Sequence, residues 1–301
     1  MARASIVLSL LAAGIALQAQ EPQFKQFQQM NQPGASVPTP QTDMVASGVK
    51  PIEDDEEIGR QFLLKRKAGI PQFEFGTDAQ YYSTSNRLLT EHDPKGDLVF
   101  VGTAALAWKP TWIKDVSISV YARQQFFVYN TQGDLDFAAT TLGFNVGTQV
   151  EDWFYLSGGY SATRLLTLDK YDEFYKEGDA SLMLYRVQLC GRRVSVPYGY
   201  TFDFFHSSPG EFTRFNHGLF GGVNWAVTAK LLAQFIYRMQ LEDYTSDRQD
   251  FAHILSASLT YTFTPWASAR VFTSYNTNDS NRENDYNVFN GGVGANLTLR
   301  F

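Results

Sequence analysis

The sequence predicts an all-β chain, a transmembrane antiparallel up-and-down β-barrel of about twelve strands, the even count usual for single-chain bacterial barrels. Three observations carry this. Beyond residue 70, apolar residues return at every second position in segment after segment. After residue 20 there is no run of about eighteen apolar residues, so no helical span is expected. Aromatic residues make up 15% of the 301-residue chain, with 24 Phe and 16 Tyr, yet mean hydropathy is slightly negative. Strands that show one face to lipid and the other to water have this mixture, and soluble enzymes seldom do. A formal net charge of -6 without basic clusters gives no footprint for nucleic acid.

Residues 1–19 read as a secretory signal, with Arg3 as the positive start, an apolar stretch from Ile6 to Ala16, and Ala19 as a small residue for cleavage. Residues 20–68 are expected to form a disordered periplasmic tail, because 20–50 are rich in Gln, Pro, Ser and Thr and too poor in apolar groups to offset the entropy of ordering. Within it, 53–67 runs from acidic to basic. That order suits the dipole of a short helix, while a solvated linker is the plainer reading. The lone Cys190, beside Gly191, Arg192 and Arg193 in an expected turn, has no internal disulfide partner and reads as incidental.

The barrel is expected over 69–301. Its last segment is the clearest: Phe289, Gly291, Val293, Ala295, Leu297, Leu299 and Phe301 alternate with Asn290, Gly292, Gly294, Asn296, Thr298 and Arg300. The same period places Phe73, Phe75, Ala79 and Tyr81 opposite Glu74, Asp78 and Gln80, and Val116, Ile118, Val120 and Ala122 opposite Ser117, Ser119, Tyr121 and Arg123. Such segments fall at 72–84, 97–108, 115–129, 136–149, 152–164, 179–190, 195–206, 214–226, 230–242, 250–263, 266–277 and 287–301. In 179–190 Arg186 shares a face with Leu182 and Leu184, which leaves the lipid-facing row open. Short links, such as Gly191 to Arg193 and Thr264-Pro265, alternate with longer polar ones, such as Ser85 to Asp97, Leu165 to Gly178 and Asn278 to Tyr286. Short turns at one end and longer loops at the other mark the periplasmic and outside ends of such barrels.

All five tryptophans, Trp108, Trp112, Trp153, Trp225 and Trp266, fall at or beside short turns and would form one aromatic girdle at the headgroup level. Tyr81, Phe204, Tyr275 and Phe289 supply a second girdle near the opposite end. Period two also fits a soluble barrel with its apolar face inward, so charge must choose the orientation. With the apolar rows outward, Glu74, Asp78, Arg123, Asp203, Arg238 and Arg270 line a wet lumen and stay out of lipid, where an Arg at the midplane costs roughly 2–4 kcal/mol.

The stretch Val293, Ala295, Leu297, Leu299 and Phe301, apolar at alternate positions and ending in Phe, resembles the C-terminal signature that outer-membrane barrels present to the barrel assembly machinery. The final hairpin, Thr273-Ser274-Tyr275-Asn276, Asn278-Asp279-Ser280-Asn281 and Asp285-Tyr286-Asn287, resembles the β-barrel porin families of little-characterised outer-membrane proteins. The resemblance covers 70–301, in pattern more than identity, and implies a barrel exported through the periplasm to the outer membrane, in contact with its lipids and lipopolysaccharide.

Sites for chemistry are weaker. The four histidines, His92, His206, His217 and His253, lack the local spacing of a metal site, and neither a cofactor nor a catalytic centre is expected. His206-Ser207-Ser208-Pro209-Gly210 is similar to the His-x-Ser-Asn-Gly motif of the outer-membrane phospholipase family, with Pro209 in place of Asn. With Asn216 it has the parts of a hydrolase, but Asn216 has inward parity and a loop reading is preferred. Asp243, Asp247, Asp250, Asp279, Glu283 and Asp285 are candidates for bridging divalent cations to lipopolysaccharide, solvated loop charges being the plainer alternative. Arg123, Arg238 and Arg270 would give the lumen a mild anion preference unless Glu74, Asp78 and Asp203 cancel it. The expected role is that of a non-enzymatic channel for passive passage of small hydrophilic solutes. The alternative is a non-conducting structural or surface barrel whose lumen is plugged by loops or by 51–67.

Overall fold

The computed structural model describes residues 71–301 apart from Lys114, Asp152 and Glu283, together with Phe24 and Phe27. The expected signal, the short helix over 53–67 and most of the tail therefore lie outside the described residues. Alternating sequence gives twelve strands, β1 Phe73–Thr84, β2 Asp97–Trp108, β3 Val116–Tyr129, β4 Phe137–Val150, β5 Phe154–Thr167, β6 Glu173–Cys190, β7 Val194–Ser208, β8 Arg214–Ala226, β9 Leu231–Tyr244, β10 Gln249–Thr264, β11 Ala267–Ser280 and β12 Tyr286–Arg300. Each pairs antiparallel with its sequence neighbour, and β1 closes onto β12. Closure is continuous from Glu74 opposite Arg300 to Thr84 opposite Asn290. Phe73 N–H donates to the Phe301 carbonyl at 2.9 Å and Phe301 N–H to the Phe73 carbonyl at 3.0 Å, so the seam is sealed to its last residue. No strand edge is left, which is the condition for a sheet to sit in hydrocarbon.

Side-chain direction follows the predicted parity throughout. Leu142, Phe144, Val146, Leu219, Val271, Val293 and Leu297 project outward and are 41–60% exposed, whereas their strand neighbours point into the lumen. An apolar surface this large, wrapped around every strand, has no counterpart on a water-soluble monomer. Outward histidines are paired within it, His217 Nδ1 with the Tyr200 hydroxyl and His253 Nδ1 with the Tyr237 hydroxyl, both at 2.6 Å. All five tryptophans lie at the short-turn end, four of them half or more exposed and Trp108 packed 5.2 Å from Trp112. Phe301 stacks on Phe73 at the same end, 6.0 Å between centroids.

Two expectations are corrected. β5 runs to Thr167 and β6 begins at Glu173, so the expected long loop from Leu165 to Gly178 shrinks to 168–172. Its polar residues misled because the hairpin rises past the apolar band. Lys176 and Glu173 project outward above that band, while Tyr175 and Glu177 keep the inward parity of β6. For the same reason Asp243 and Asp279, outside the expected segments, belong to strands, as Asp250 does at the start of β10. Asp250 is buried inside, accepting from Arg248 and from Ser280 Oγ at 2.6 Å, and is not available to a lipopolysaccharide-bridging cation. Only 85–96 remains a long link. The contrast between short turns and long loops is thus smaller than the sequence suggested.

The surface makes a depth-dependent prediction. Leu142→Arg, at the middle of β4 and facing out, should lower folding stability in phospholipid vesicles by roughly 2–4 kcal/mol, and Trp225→Arg at the turn end by about 0–1 kcal/mol. Denaturant titration of the vesicle-folded protein, followed by tryptophan fluorescence, reads both.

Candidate functional site

The lumen gathers the inward polar and charged side chains of the described strands, and its two ends differ. Towards the short turns its wall is built of small and polar inward residues, among them Ser117, Ser119, Asn145, Ser157, Thr260, Ser268 and Asn296, most of them partly solvated. Inward glycines let larger neighbours lie flat against the wall: a Cβ on Gly147 would meet the Tyr155 ring at 2.6 Å, so that ring occupies the space a side chain would fill. Towards the loops the wall turns apolar on the β1–β6 side. Tyr82, Val99, Val101, Phe127, Tyr129, Phe137, Leu165 and Tyr175 form one buried cluster. Phe24 and Phe27, in helical conformation, sit within it, 1% and 3% exposed. Phe27 meets Phe127 edge-on at 4.9 Å and lies over Tyr82 at 6.4 Å, and Phe24 meets Phe127 and Phe137 at 6.0 and 6.3 Å. Tyr82 in turn covers Gly292 of β12, where a Cβ would come within 2.4 Å of its own Cβ. Phe24 and Phe27 fall inside the region read from sequence as a disordered tail, and these two side chains are packed within the barrel.

A belt of charge runs along the lumen wall, from Glu74 near the turns to Arg214 and Glu242 near the loop ends of β8 and β9. All six residues expected to line the lumen have inward parity. Glu74, nearest the turns, accepts from Lys109 Nζ and Arg300 Nε, each at 3.0 Å. Asp78 accepts from Arg270 Nη2 at 3.1 Å and from Gln80 Nε2 at 2.6 Å. Arg238 stands 6.0 Å from the Phe220 ring, and Arg123 is inward on β3. Asp203 lies opposite Asn216, which lies opposite Glu242 on β9. Sequence reading did not single out Glu177, Asp179, Arg214 and Glu242, which join this belt. Tyr175 OH donates to Glu177 at 2.7 Å, Tyr244 OH donates to Glu242 at 2.8 Å, and the Arg214 guanidinium stacks 4.2 Å from the Phe205 ring. Parity applied to β6 and β9 would have found the acids. Glu177 lies before the expected start of β6, and Asp179 and Glu242 are the end residues of their expected segments, where parity carries least weight. With them the inward acids offset the arginines, so the expected mild anion preference has no excess of cations behind it.

The hydrolase constellation does not assemble. His206 and Ser208 are exposed on the outer face, and Asn216 is buried on the lumen side of the wall, 1% exposed. Among the described residues no group of three or more His, Cys, Asp or Glu is placed to hold a metal ion.

The loops above β1 to β4 are tied by local pairing. Arg87 pairs with Asp97 at 3.4 Å and with the Thr131 hydroxyl, and Asp97 accepts from Thr131 Oγ1 at 2.7 Å. Asp136 accepts from Tyr129 N–H at 2.8 Å. Burial pushes the Asp136 carboxyl above the ordinary carboxylate range, a push that Asp97 and Asp134 reinforce.

These features define a class: a closed, lipid-compatible antiparallel barrel with a polar, charge-belted interior, against whose loop-end wall Phe24 and Phe27 pack. One solved structure shares the fold and others resemble it more distantly. An outer membrane channel from Pseudomonas putida F1 is similar at 11% identity with a TM-score of 0.55, over 76% of this chain and 96% of that one. The KdgM porin in complex with disordered oligogalacturonate is more distant, at 11% identity and a TM-score of 0.43 over 74% of this chain and 98% of that one. The translocator domain of the autotransporter NalP from Neisseria meningitidis is as distant, at 11% and 0.42 over 77% and 90%. At such identities the likeness is one of fold. No family profile and no curated protein matches the chain.

Two predictions follow from the geometry. Asp78→Ala should destabilise the barrel by roughly 1–3 kcal/mol, because it removes the acceptor shared by Arg270 and Gln80, and the Asp78→Ala/Arg270→Ala double variant should recover part of the loss. A double-mutant cycle in denaturant measures it. For Asp136, the raised carboxyl means the folded barrel holds its proton more tightly than the unfolded chain does. Its contribution to stability is therefore present at low pH and lost as pH rises through the raised value. Asp136→Asn should flatten that part of the stability-against-pH curve while keeping an acceptor for Tyr129 N–H.

Proposed function

We propose that this chain is an outer-membrane channel for small hydrophilic solutes, shut at its loop end by Phe24 and Phe27. Its lipid-facing rows, the tryptophan girdle at the short-turn end and the C-terminal run to Phe301 support outer-membrane residence and recognition by the barrel assembly machinery. The short turns then face the periplasm and the loops the cell exterior. The observation that carries the reading is the change of wall within one lumen. A polar, charge-lined turn half serves a hydrated solute, because lumen side chains and fixed charges set what passes. An apolar stopper seated in the loop half would serve no purpose in an interior meant only to be filled.

The stopper is also what favours the second reading, a non-conducting barrel with a structural or surface role. The aromatic contacts of Phe24 and Phe27 are those of a packed core, and edge-to-face ring pairs add about 0.5–1.5 kcal/mol each beyond burial.

Single-channel recording separates the two. In planar bilayers the full chain should be silent or open only briefly, whereas Phe24→Ala/Phe27→Ala should show long openings, with little anion selectivity under a KCl gradient because inward acids offset the arginines. If the double variant is as silent as wild type while folded, as judged by heat-modifiable migration, the non-conducting reading stands and the channel falls.

A further inference from the structure

One charge on the barrel's outside has no account in the lumen. The outward row of every strand is apolar, aromatic or uncharged across the membrane band, and the formally charged outward side chains Arg164, Glu173, Lys176, Asp243 and Asp279 all cluster at the loop ends of their strands. Arg186 is the exception. It sits on β6, four residues from the strand's turn end at Cys190, is exposed, and makes no hydrogen bond or ion pair among the described residues. A strand rise of about 3.3 Å per residue and a tilt near 40° put it roughly 10 Å above the turn, near the inner headgroup boundary.

It also stands in a hollow. A trough of about 640 Å³ runs along the outer face of β6 to β9. Strand register carries Arg186 to Tyr198, Tyr198 to Gly221 and Gly221 to Tyr237, so these four residues form one level across four strands. Gly221 is the floor: it points outward, and a Cβ there would approach only Tyr198, at 4.0 Å, so the space is open. Tyr198 and Tyr237 are the flanking walls. Two residues nearer the midplane the trough is lined by Leu184, Leu219 and Met239, and its turn-side rim is Trp153.

We infer that this trough is a binding site for one anionic phospholipid of the leaflet at the short-turn end, its phosphate on Arg186 and an acyl chain lying over Gly221 towards Leu219. A guanidinium in this position is costly facing hydrocarbon and favourable facing phosphate, with which it forms charge-assisted and commonly bidentate hydrogen bonds. The long side chain reaches the phosphate level while its stem stays on apolar surface. The missing side chain at Gly221 supplies the slot a chain needs, and the tryptophan at the rim fixes the depth. The site rests on the reading that the outer face lies in a bilayer.

The test is native mass spectrometry of the full chain in detergent, titrated with palmitoyl-oleoyl phosphatidylglycerol or the matching phosphatidylcholine. Wild type should retain one phosphatidylglycerol in preference to phosphatidylcholine by about tenfold, the worth of a single charge-assisted contact. Arg186→Gln should reduce the preference to near unity, Lys176→Gln should leave it unchanged, and Gly221→Leu should lose retention of both lipids. Heat-modifiable migration reports whether each variant folds, and if Gly221→Leu does not, the Arg186→Gln comparison decides alone. Equal retention by wild type and Arg186→Gln overturns the site. So does a wild-type dimer that Gly221→Leu converts to monomer, which would make the trough an interface between copies. A chain that never inserts into vesicles overturns instead the membrane reading on which the site rests.

Discussion

Everything in this molecule depends on leaving no backbone donor or acceptor unpaired on the surface that faces hydrocarbon. In water a sheet edge is a nuisance, whereas in lipid each unsatisfied peptide group costs several kcal/mol, so the sheet must close. The closure is the β1–β12 seam, paired from Glu74 opposite Arg300 to Thr84 opposite Asn290 and finished by the reciprocal bonds of Phe73 and Phe301. Once the ring is closed, side-chain direction has only two values. A residue faces lipid or lumen according to its parity, and a slip of one position would exchange the two sets.

That binary choice explains why so much was legible in the sequence. Where a strand crosses the apolar band, its two faces meet opposite solvents, and alternation such as Val293 to Phe301 against Gly294 to Arg300 is unambiguous. The strand windows, the turn-end tryptophans and the inward parity of Glu74, Asp78, Arg123, Asp203, Arg238 and Arg270 all follow from it. Legibility fails where a strand leaves the band. Above it, the outward row of the β5–β6 hairpin turns polar, Arg164 and Lys176, while the inward row mixes Tyr175 with Glu177, so Glu173 to Gly178 carries no hydropathic alternation.

The site was less legible because it is built from distances in space. Arg186 stood out in the sequence as a charge in an apolar row, but only strand register shows that Tyr198, Gly221 and Tyr237 share its level. Phe24 and Phe27 stand in a Gln-rich stretch whose composition argues for disorder. Their apolar seat, Tyr82, Val99, Val101, Phe127 and Phe137, is contributed by four strands and is invisible to any local window. An inward apolar patch in a barrel whose other inward residues are polar is nevertheless a signal. Val99 and Val101 in β2, opposed by outward Leu98 and Phe100, make a strand apolar on both faces, the mark of a wall covered on both sides.

The central claim is the orientation of the two faces, and site-directed spin labelling tests it most directly. With Cys190 replaced by Ser, single cysteines from Thr140 to Gly147 in β4 would carry a nitroxide in vesicle-folded protein. The structure requires accessibility to lipid-dissolved oxygen to rise at 140, 142, 144 and 146 and fall at 141, 143, 145 and 147, a period of two residues. The opposite phase, or no periodicity, would mean that the apolar rows do not face lipid and would contradict the account.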